Sequence, residues 1–248
     1  ISLLCIILLT GKRRLLLSGF SVKELGSSAL LGLLNPFLYY MILLRAYQLL
    51  PAQIAQPLNM IWPIVLVFLS VPILGQKVPG KSYLSLAISF AGVYIIASQG
   101  HLFRTGHADP EGVMLAAGSS VFWALYFILN AKSRQDEAVR LFYNFLAGSL
   151  YLIAALLITR SWPETISLKG LAASVYIGLF EMGITFLFWL KALKLAPSTD
   201  KISNLVYLAP FLSLIFVHFI LDEPVYITTP AGLLLIIAGI VIQNRKTL

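Results

Sequence analysis

Glu181 is the carboxylate set deepest in an apolar stretch of this 248-residue chain, about ten residues from either end of its segment. A charge at such a depth costs about 3 kcal/mol on membrane-insertion scales, so it is expected to face a cavity, a partner or a proton. Two functional chemistries fit: a counterion for a substrate amine, or a proton-coupling site. The structural alternative is a neutral carboxyl hydrogen-bonded between helices. Other polar and aromatic residues recur at helical spacings that place them on common faces. Ser119, Trp123, Tyr126 and Asn130 follow one another at four, three and four residues, and Gln56, Asn59 and Pro63 share another face. Asn35 pairs with Tyr39, Glu181 with Thr185, and Asn204 with Tyr207. A ring beside hydrogen-bonding groups suits an amphipathic small molecule; interhelical hydrogen bonding is the alternative at each position. The candidate substrate-binding residues are therefore Asn35, Tyr39, Gln56, Asn59, Ser119, Trp123, Tyr126, Glu181, Thr185, Asn204 and Tyr207, with Glu181 also the proton-coupling candidate.

Covalent catalysis and metal chemistry find little support. There is no Gly-x-Ser-x-Gly, no His-Glu-x-x-His and no second deep carboxylate to partner Glu181, so no catalytic residue is assigned. His101, His107 and His218 show no metal-ligand spacing, the single Cys5 excludes an internal disulfide, and no cofactor is implied. Asp200 and Lys201 can pair locally, but capping of a helix start by Thr199 or Asp200 is the expected role.

These residues need spans to position them. With 59% hydrophobic and 11% charged residues, the chain cannot bury its apolar side chains in a soluble globule and reads as an all-α polytopic membrane protein. Stretches long enough to cross a bilayer run near Leu25–Leu50, Ala52–Leu74, Ser82–Ser98, Gly112–Ala131, Ala138–Ile158, Leu171–Leu195, Ile202–Leu221 and Ile227–Ile242. Prolines 36, 57, 63, 72 and 210 fall inside them and favour kinks. Ile1–Thr10 supplies only about 15 Å of helix, half a bilayer core.

Residues Ser21–Pro51 recur 146 positions later as Ser167–Pro197, with ten identities in 31 pairs, among them Ser21/Ser167, Gly32/Gly178, Leu44/Leu190 and Pro51/Pro197. Asn35 and Glu181 are mates. The echo continues at offset 147 through Pro63/Pro210, Leu74/Leu221, Val78/Val225 and Gly92/Gly239. Projected backwards, the repeat makes Leu9–Thr10 the end of a helix whose start would precede residue 1. The expectation is two five-helix units, ten helices in full, with the N-terminal helix and part of the second missing.

Charge placement orients the spans. If Ile1–Thr10 ends in the cytoplasm, fourteen Lys and Arg lie inside, including Lys12, Lys23, Lys132, Arg134 and Arg140, against Arg45, Arg104, Arg160 and Lys169 outside. The net charge of +8 is then a topogenic signal and not a nucleic-acid patch. Five helices per unit force the second copy to enter the membrane from the opposite side, which makes the repeat inverted, an architecture of alternating-access carriers.

Gly32–Pro51, Asn59-Met60-Ile61-Trp62-Pro63 leading to Leu74-Gly75-Gln76-Lys77, Phe122–Tyr126, Gly178–Pro197, and Tyr207-Leu208-Ala209-Pro210 leading to Asp222-Glu223-Pro224 resemble the EamA-type branch of the drug/metabolite transporter superfamily. The Asn-x-x-Trp-Pro followed by Gly-Gln-Lys is similar to bacterial aromatic amino-acid exporters. The resemblance implies a first repeat at 1–98, an external loop at 99–111 and a second repeat at 112–248, with a central cavity between the halves. Gln76 departs from it where many members carry Glu. The implied function is an inner-membrane carrier that exports small metabolites such as amino acids, with a small-molecule substrate and the lipid bilayer as partners and a cytoplasmic C-terminus. An intramembrane enzyme or a non-transporting membrane partner protein is the alternative.

Overall fold

The computed structural model describes residues 1–18, 21–98, 109–162, 165, 167–210, 212, 219 and 228–244. His101, His107, His218, Arg104, Leu221, Val225, Asp222-Glu223-Pro224 and most of the 99–111 loop lie outside the described residues. All regular structure among the described residues is helical: α1 Ser2–Leu9, α2 Arg13–Ser18, α3 Val22–Gly32, α4 Tyr39–Leu49, α5 Ala52–Asn59, α6 Trp62–Leu74, α7 Gly80–Ala97, α8 Pro110–Lys132, α9 Glu137–Thr159, α10 Leu168–Tyr176, α11 Phe186–Leu195, α12 Thr199–Ser203 and α13 Thr228–Asn244. Among the described residues, six spans are long and apolar enough to cross a membrane: Val22–Leu49, Ile54–Leu74, Gly80–Ala97, Pro110–Lys132, Glu137–Thr159 and Leu168–Leu195. They match six of the hydropathy stretches to within a few residues.

The ends follow from local chemistry. At α3 the Ser21 hydroxyl accepts from the Glu24 N–H while the Glu24 carboxylate accepts from the Ser21 N–H, a reciprocal cap. Ser167, its repeat mate, caps α10 by accepting from Gly170 N–H. Asp136 caps α9 through the N–H groups of Ala138 and Val139, and α6 stops at Gly75, whose φ of 68° suits glycine.

Proline effects vary by position. Pro63 has no N–H to give the Asn59 carbonyl, and the expected single helix Ala52–Leu74 divides at Met60–Ile61, so Pro63 does not continue the α5 face that carries Gln56 and Asn59. Pro36 forces its predecessor out of the helical region: Asn35 is extended, at φ −152° and ψ 121°. Pro57 and Pro72 sit inside α5 and α6.

The chain forms two compact units, residues 1–40 with 129–195, and residues 41–128 with 196–248. Each draws on both halves of the sequence. In the first unit, Arg140 donates to Ser27, Gly32 touches Asn144 and Gly148, and Phe37 stacks near Tyr151. Partner numbers rise together, so α3 and its continuation run parallel to α9. On α9 and α11 they run oppositely, Glu137 with Lys194 and Phe145 with Phe186. The first copy of the repeat therefore runs against the second, within one compact unit.

In the second unit the mates α7 and α13 show the same inversion. Gly92 faces Gly232, Ser89 faces Ile236 and Ser85 faces Gly239, each pair summing to about the same number, which is the signature of antiparallel helices. Small residues carry this contact. A Cβ on Gly92 would lie 2.5 Å from the Gly232 carbonyl oxygen, so the backbones meet directly. Val67, Leu86, Val93, Ile96, Tyr207 and Ile236 form a buried cluster in this unit.

Polarity is arranged inside out. The buried side of α9 carries Arg140, Asn144 and Gly148, whereas its exposed side carries Leu146, Leu150, Ile153 and Leu157 at spacings of four, three and four. Polar groups facing the protein and apolar groups facing outward is the pattern of a helix solvated by lipid.

Candidate functional site

In the first unit the repeat mates Asn35 and Glu181 both lie where the regular α-helix is interrupted. Around Asn35 two helices meet at a kink beside Pro36, whereas Ile177–Thr185, at the matching place in the second copy, is π-helical, with five residues between bonded groups instead of four. Such widening frees backbone groups and often marks functional positions. The widened stretch is approached closely by α1: Ser2 donates to the Gly178 carbonyl at 3.2 Å, and only a glycine at 183 leaves room for the Ser2 side chain.

Asn35 is wholly buried, and neither atom of its amide has a hydrogen-bond partner among the described residues. An unsatisfied buried amide costs about 1–3 kcal/mol, which a bound solute could recover. Tyr39 is buried, with its ring edge-on to that of Tyr40 at 5.0 Å. Glu181 and Thr185 are on the exposed side of the widened stretch. The Tyr40 hydroxyl donates to Glu181 Oε1 at 2.9 Å. Tyr40 is not among the residues that spacing singles out; its partner lies 141 positions away, and nothing local announces that meeting.

Seven sequence candidates fall in the second unit. Asn59 donates to the Ser119 hydroxyl at 2.8 Å, which in turn donates to the Ala116 carbonyl. Trp123 lies 5.9 Å from the ring of Trp62 and 5.1 Å from that of Phe127. Tyr126 is buried against Phe127, while Gln56 is exposed. Asn130, the last member of the α8 stripe, belongs to the first unit, where its carbonyl accepts from Asn144 at 2.9 Å. The turn of 3₁₀ helix at Asn204–Tyr207 places both of those residues in full burial, and the Asn204 amide and Tyr207 hydroxyl find no hydrogen bond among the described residues.

Asp200 takes neither the capping role expected of it nor the alternative pairing with Lys201. Its carboxylate does not take Lys201 but accepts from Ser82 at 2.6 Å and Gln243 at 3.2 Å, joining α12 to α7 and α13. Neither Thr199 nor Asp200 caps α12. Ser198 occupies that position, and the Thr199 N–H is instead met by Gln76 Oε1 at 2.9 Å. Burial pushes the Asp200 pKa up, and hydrogen bonds from Ser198, Ser82 and Gln243 outweigh it, holding the carboxyl below its ordinary value. Gln76, which the sequence marks only as a departure from a motif, is thus a structural acceptor.

Known proteins agree with this architecture. The model of the EamA-like transporter family matches residues 1–98 and 110–245. The chain is 30% identical over 225 residues to the uncharacterized transporter YvbV of Bacillus subtilis, covering 87% of this chain and 70% of that one. It is 27% identical over 234 residues to a probable terminal-alkyne amino-acid exporter of Streptantibioticus cattleyicolor, covering 91% and 75% respectively. A crystal structure 19% identical in sequence superposes with a TM-score of 0.77, over 90% of this chain and 78% of that one, and so shares the fold. The inverted helical repeat and a family match over nearly the whole chain lead to one conclusion: this protein belongs to the EamA-like transporter family and is a multi-pass membrane transporter.

Proposed function

We propose that the protein is a carrier of the inner or plasma membrane that exports small metabolites such as amino acids by alternating access, its C-terminus cytoplasmic, with Glu181 coupling export to protons. The observation that carries this reading is the Tyr40–Glu181 hydrogen bond in the widened middle of a span, with the unsatisfied Asn35 amide at the mate position. A carboxylate there can hold either a proton or a substrate ammonium. Occupancy by one excludes the other, which is the elementary requirement for exchange. The Tyr40 O–H donates to the carboxylate and holds it in place until a proton or an amine arrives. The amino-acid exporter among the relatives supports the choice of cargo.

The test is efflux of a panel of amino acids from proteoliposomes holding the full-length protein under an imposed pH gradient. Glu181→Gln should lose gradient-driven efflux by about tenfold or more, a transport contribution of about 1.4 kcal/mol. Tyr40→Phe should keep transport while moving its pH profile. A Glu181→Gln protein with wild-type rate and unchanged pH dependence would sink the coupling, and a wild type inert toward every amino acid would sink the cargo class.

A further inference from the structure

Within the first unit an open-mouthed cavity of about 760 Å³ is lined by Lys23, Lys132, Arg134 and Arg140. We propose that it is a binding site for an oxyanion, a phosphate or carboxylate group, at the cytoplasmic end of the protein. This goes beyond the transport reading and does not depend on Glu181.

Four cations converge there with one lining carboxylate, Glu24, which already accepts from the Ser21 N–H in the reciprocal cap. A cleft lined by one sign of charge between low-dielectric walls concentrates its field and draws in the opposite sign. Lys23 adds a second indication. It occupies the first turn of α3, where the aligned peptide dipoles are already positive and a cation is disfavoured. An anion in the cavity reverses that cost, since it meets the lysine and the positive helix end together.

Arg140 forms the rigid part of the wall. It is 5% exposed, and its guanidinium donates to Asn130 Oδ1 at 3.4 Å, Gln135 Oε1 at 2.9 Å and Ser27 Oγ at 2.7 Å. These oxygens come from three different segments, so together they orient the planar group. A guanidinium held in place loses little entropy when an oxyanion arrives. Lys132 ends α8, and Arg134 stands on the short connection to α9. The charge count assigns all four cations to the cytoplasmic side, where anionic phospholipid headgroups and soluble oxyanions are both present.

The full-length protein in nanodiscs of neutral phosphatidylcholine should be melted while sodium phosphate is titrated against chloride at constant ionic strength. In parallel, phosphatidylglycerol should replace part of the neutral lipid. The expected result is a saturable rise in melting temperature with phosphate, lost in Arg140→Gln and weakened about tenfold in Lys132→Gln. If phosphatidylglycerol gives the rise and blocks the phosphate response, the oxyanion is a lipid headgroup; if phosphate alone gives it, the ligand is soluble. Because Arg140→Gln can disturb folding, Lys132→Gln and Lys23→Gln, on more accessible side chains, are the deciding variants. No rise with either probe, or a rise that both lysine variants keep unchanged, overturns the proposal.

Discussion

At Ser21 and at Ser167 a serine hydroxyl accepts from the N–H three residues on, at 3.3 and 3.0 Å, and beyond each the α-helix is interrupted, by a kink at Asn35 in the first copy and by a π-helical stretch at Ile177–Thr185 in the second. Between these shared landmarks the two copies meet different surroundings. Gly32 is pressed on α9, so that a Cβ would run into the Asn144 carbonyl oxygen and come within 2.8 Å of Gly148 N, whereas a Cβ on its mate Gly178 would have nothing within 4 Å. Asn35 is fully buried and Glu181 is exposed. The repeated residues thus reproduce the caps and the place where each helix is interrupted, and the packing around each copy decides which side chains are buried. Asymmetric chemistry is built on a symmetric frame.

The sharpest way to break that contrast is to give both glycines the same side chain. Gly32→Ala should lower stability by about 3 kcal/mol, because a backbone carbonyl cannot move aside as a flexible side chain can. Gly178→Ala should stay within about 0.5 kcal/mol of the parent. Thermal denaturation of the two variants in one detergent checks this, and equal losses would mean that both copies are packed alike.

Asn35→Ala separates a structural amide from a functional one. Since the amide has no partner among the described residues, its removal should change stability by less than about 1 kcal/mol while reducing transport. A fall of about 3 kcal/mol in the melting experiment would instead mark Asn35 as bonded within the protein. The caps give a smaller contrast. Ser21→Ala removes one half of a reciprocal pair and should cost about 1 kcal/mol, and Ser167→Ala, with no returning carboxylate, about half of that. Equal losses would show that the Glu24 half of the pair adds nothing.

Much of this frame is legible in the chain. Hydropathy is a property summed along one segment, so the span Glu137–Thr159 lies within a residue of the stretch Ala138–Ile158 read from composition. The offset of 146 carries the caps and the place of the helix interruptions, and Pro36 and Pro63 announce local breaks. What escapes are the meetings between segments. Tyr40 with Glu181, Arg140 with Ser27, and Asp200 with Ser82 depend on how helices cross, and spacing within one helix carries no record of that. For the same reason the stripe Ser119, Trp123, Tyr126 and Asn130 proves to be shared between two compact units, with Asn130 bonded in one and Ser119 in the other.

The smallest expected effect tests a bond between the ends of α1 and α9, which the repeat also pairs as mates. Lys12 Nζ lies 2.5 Å from Asp136 Oδ2, with the lysine side chain 35% exposed and the carboxylate 16%. Burial pushes the Asp136 pKa up, but the Lys12 hydrogen bond and charge, together with the Val139 and Ala138 N–H groups, prevail and hold it below the ordinary carboxylate value. A depressed carboxyl contributes stability that is complete above its unfolded value of about 3.9 and disappears as pH falls through the lower folded value. The contribution of this partly exposed pair should be about 0.5–1 kcal/mol once solvent screening is allowed for. Asp136→Asn keeps an oxygen to cap α9 and removes the charge. The variant should therefore melt slightly below the parent at pH 7, and the difference should shrink below about pH 4 and vanish in stronger acid. A difference that persisted undiminished in acid would assign the effect to the cap, and the mated ends of α1 and α9 would then be held by packing alone.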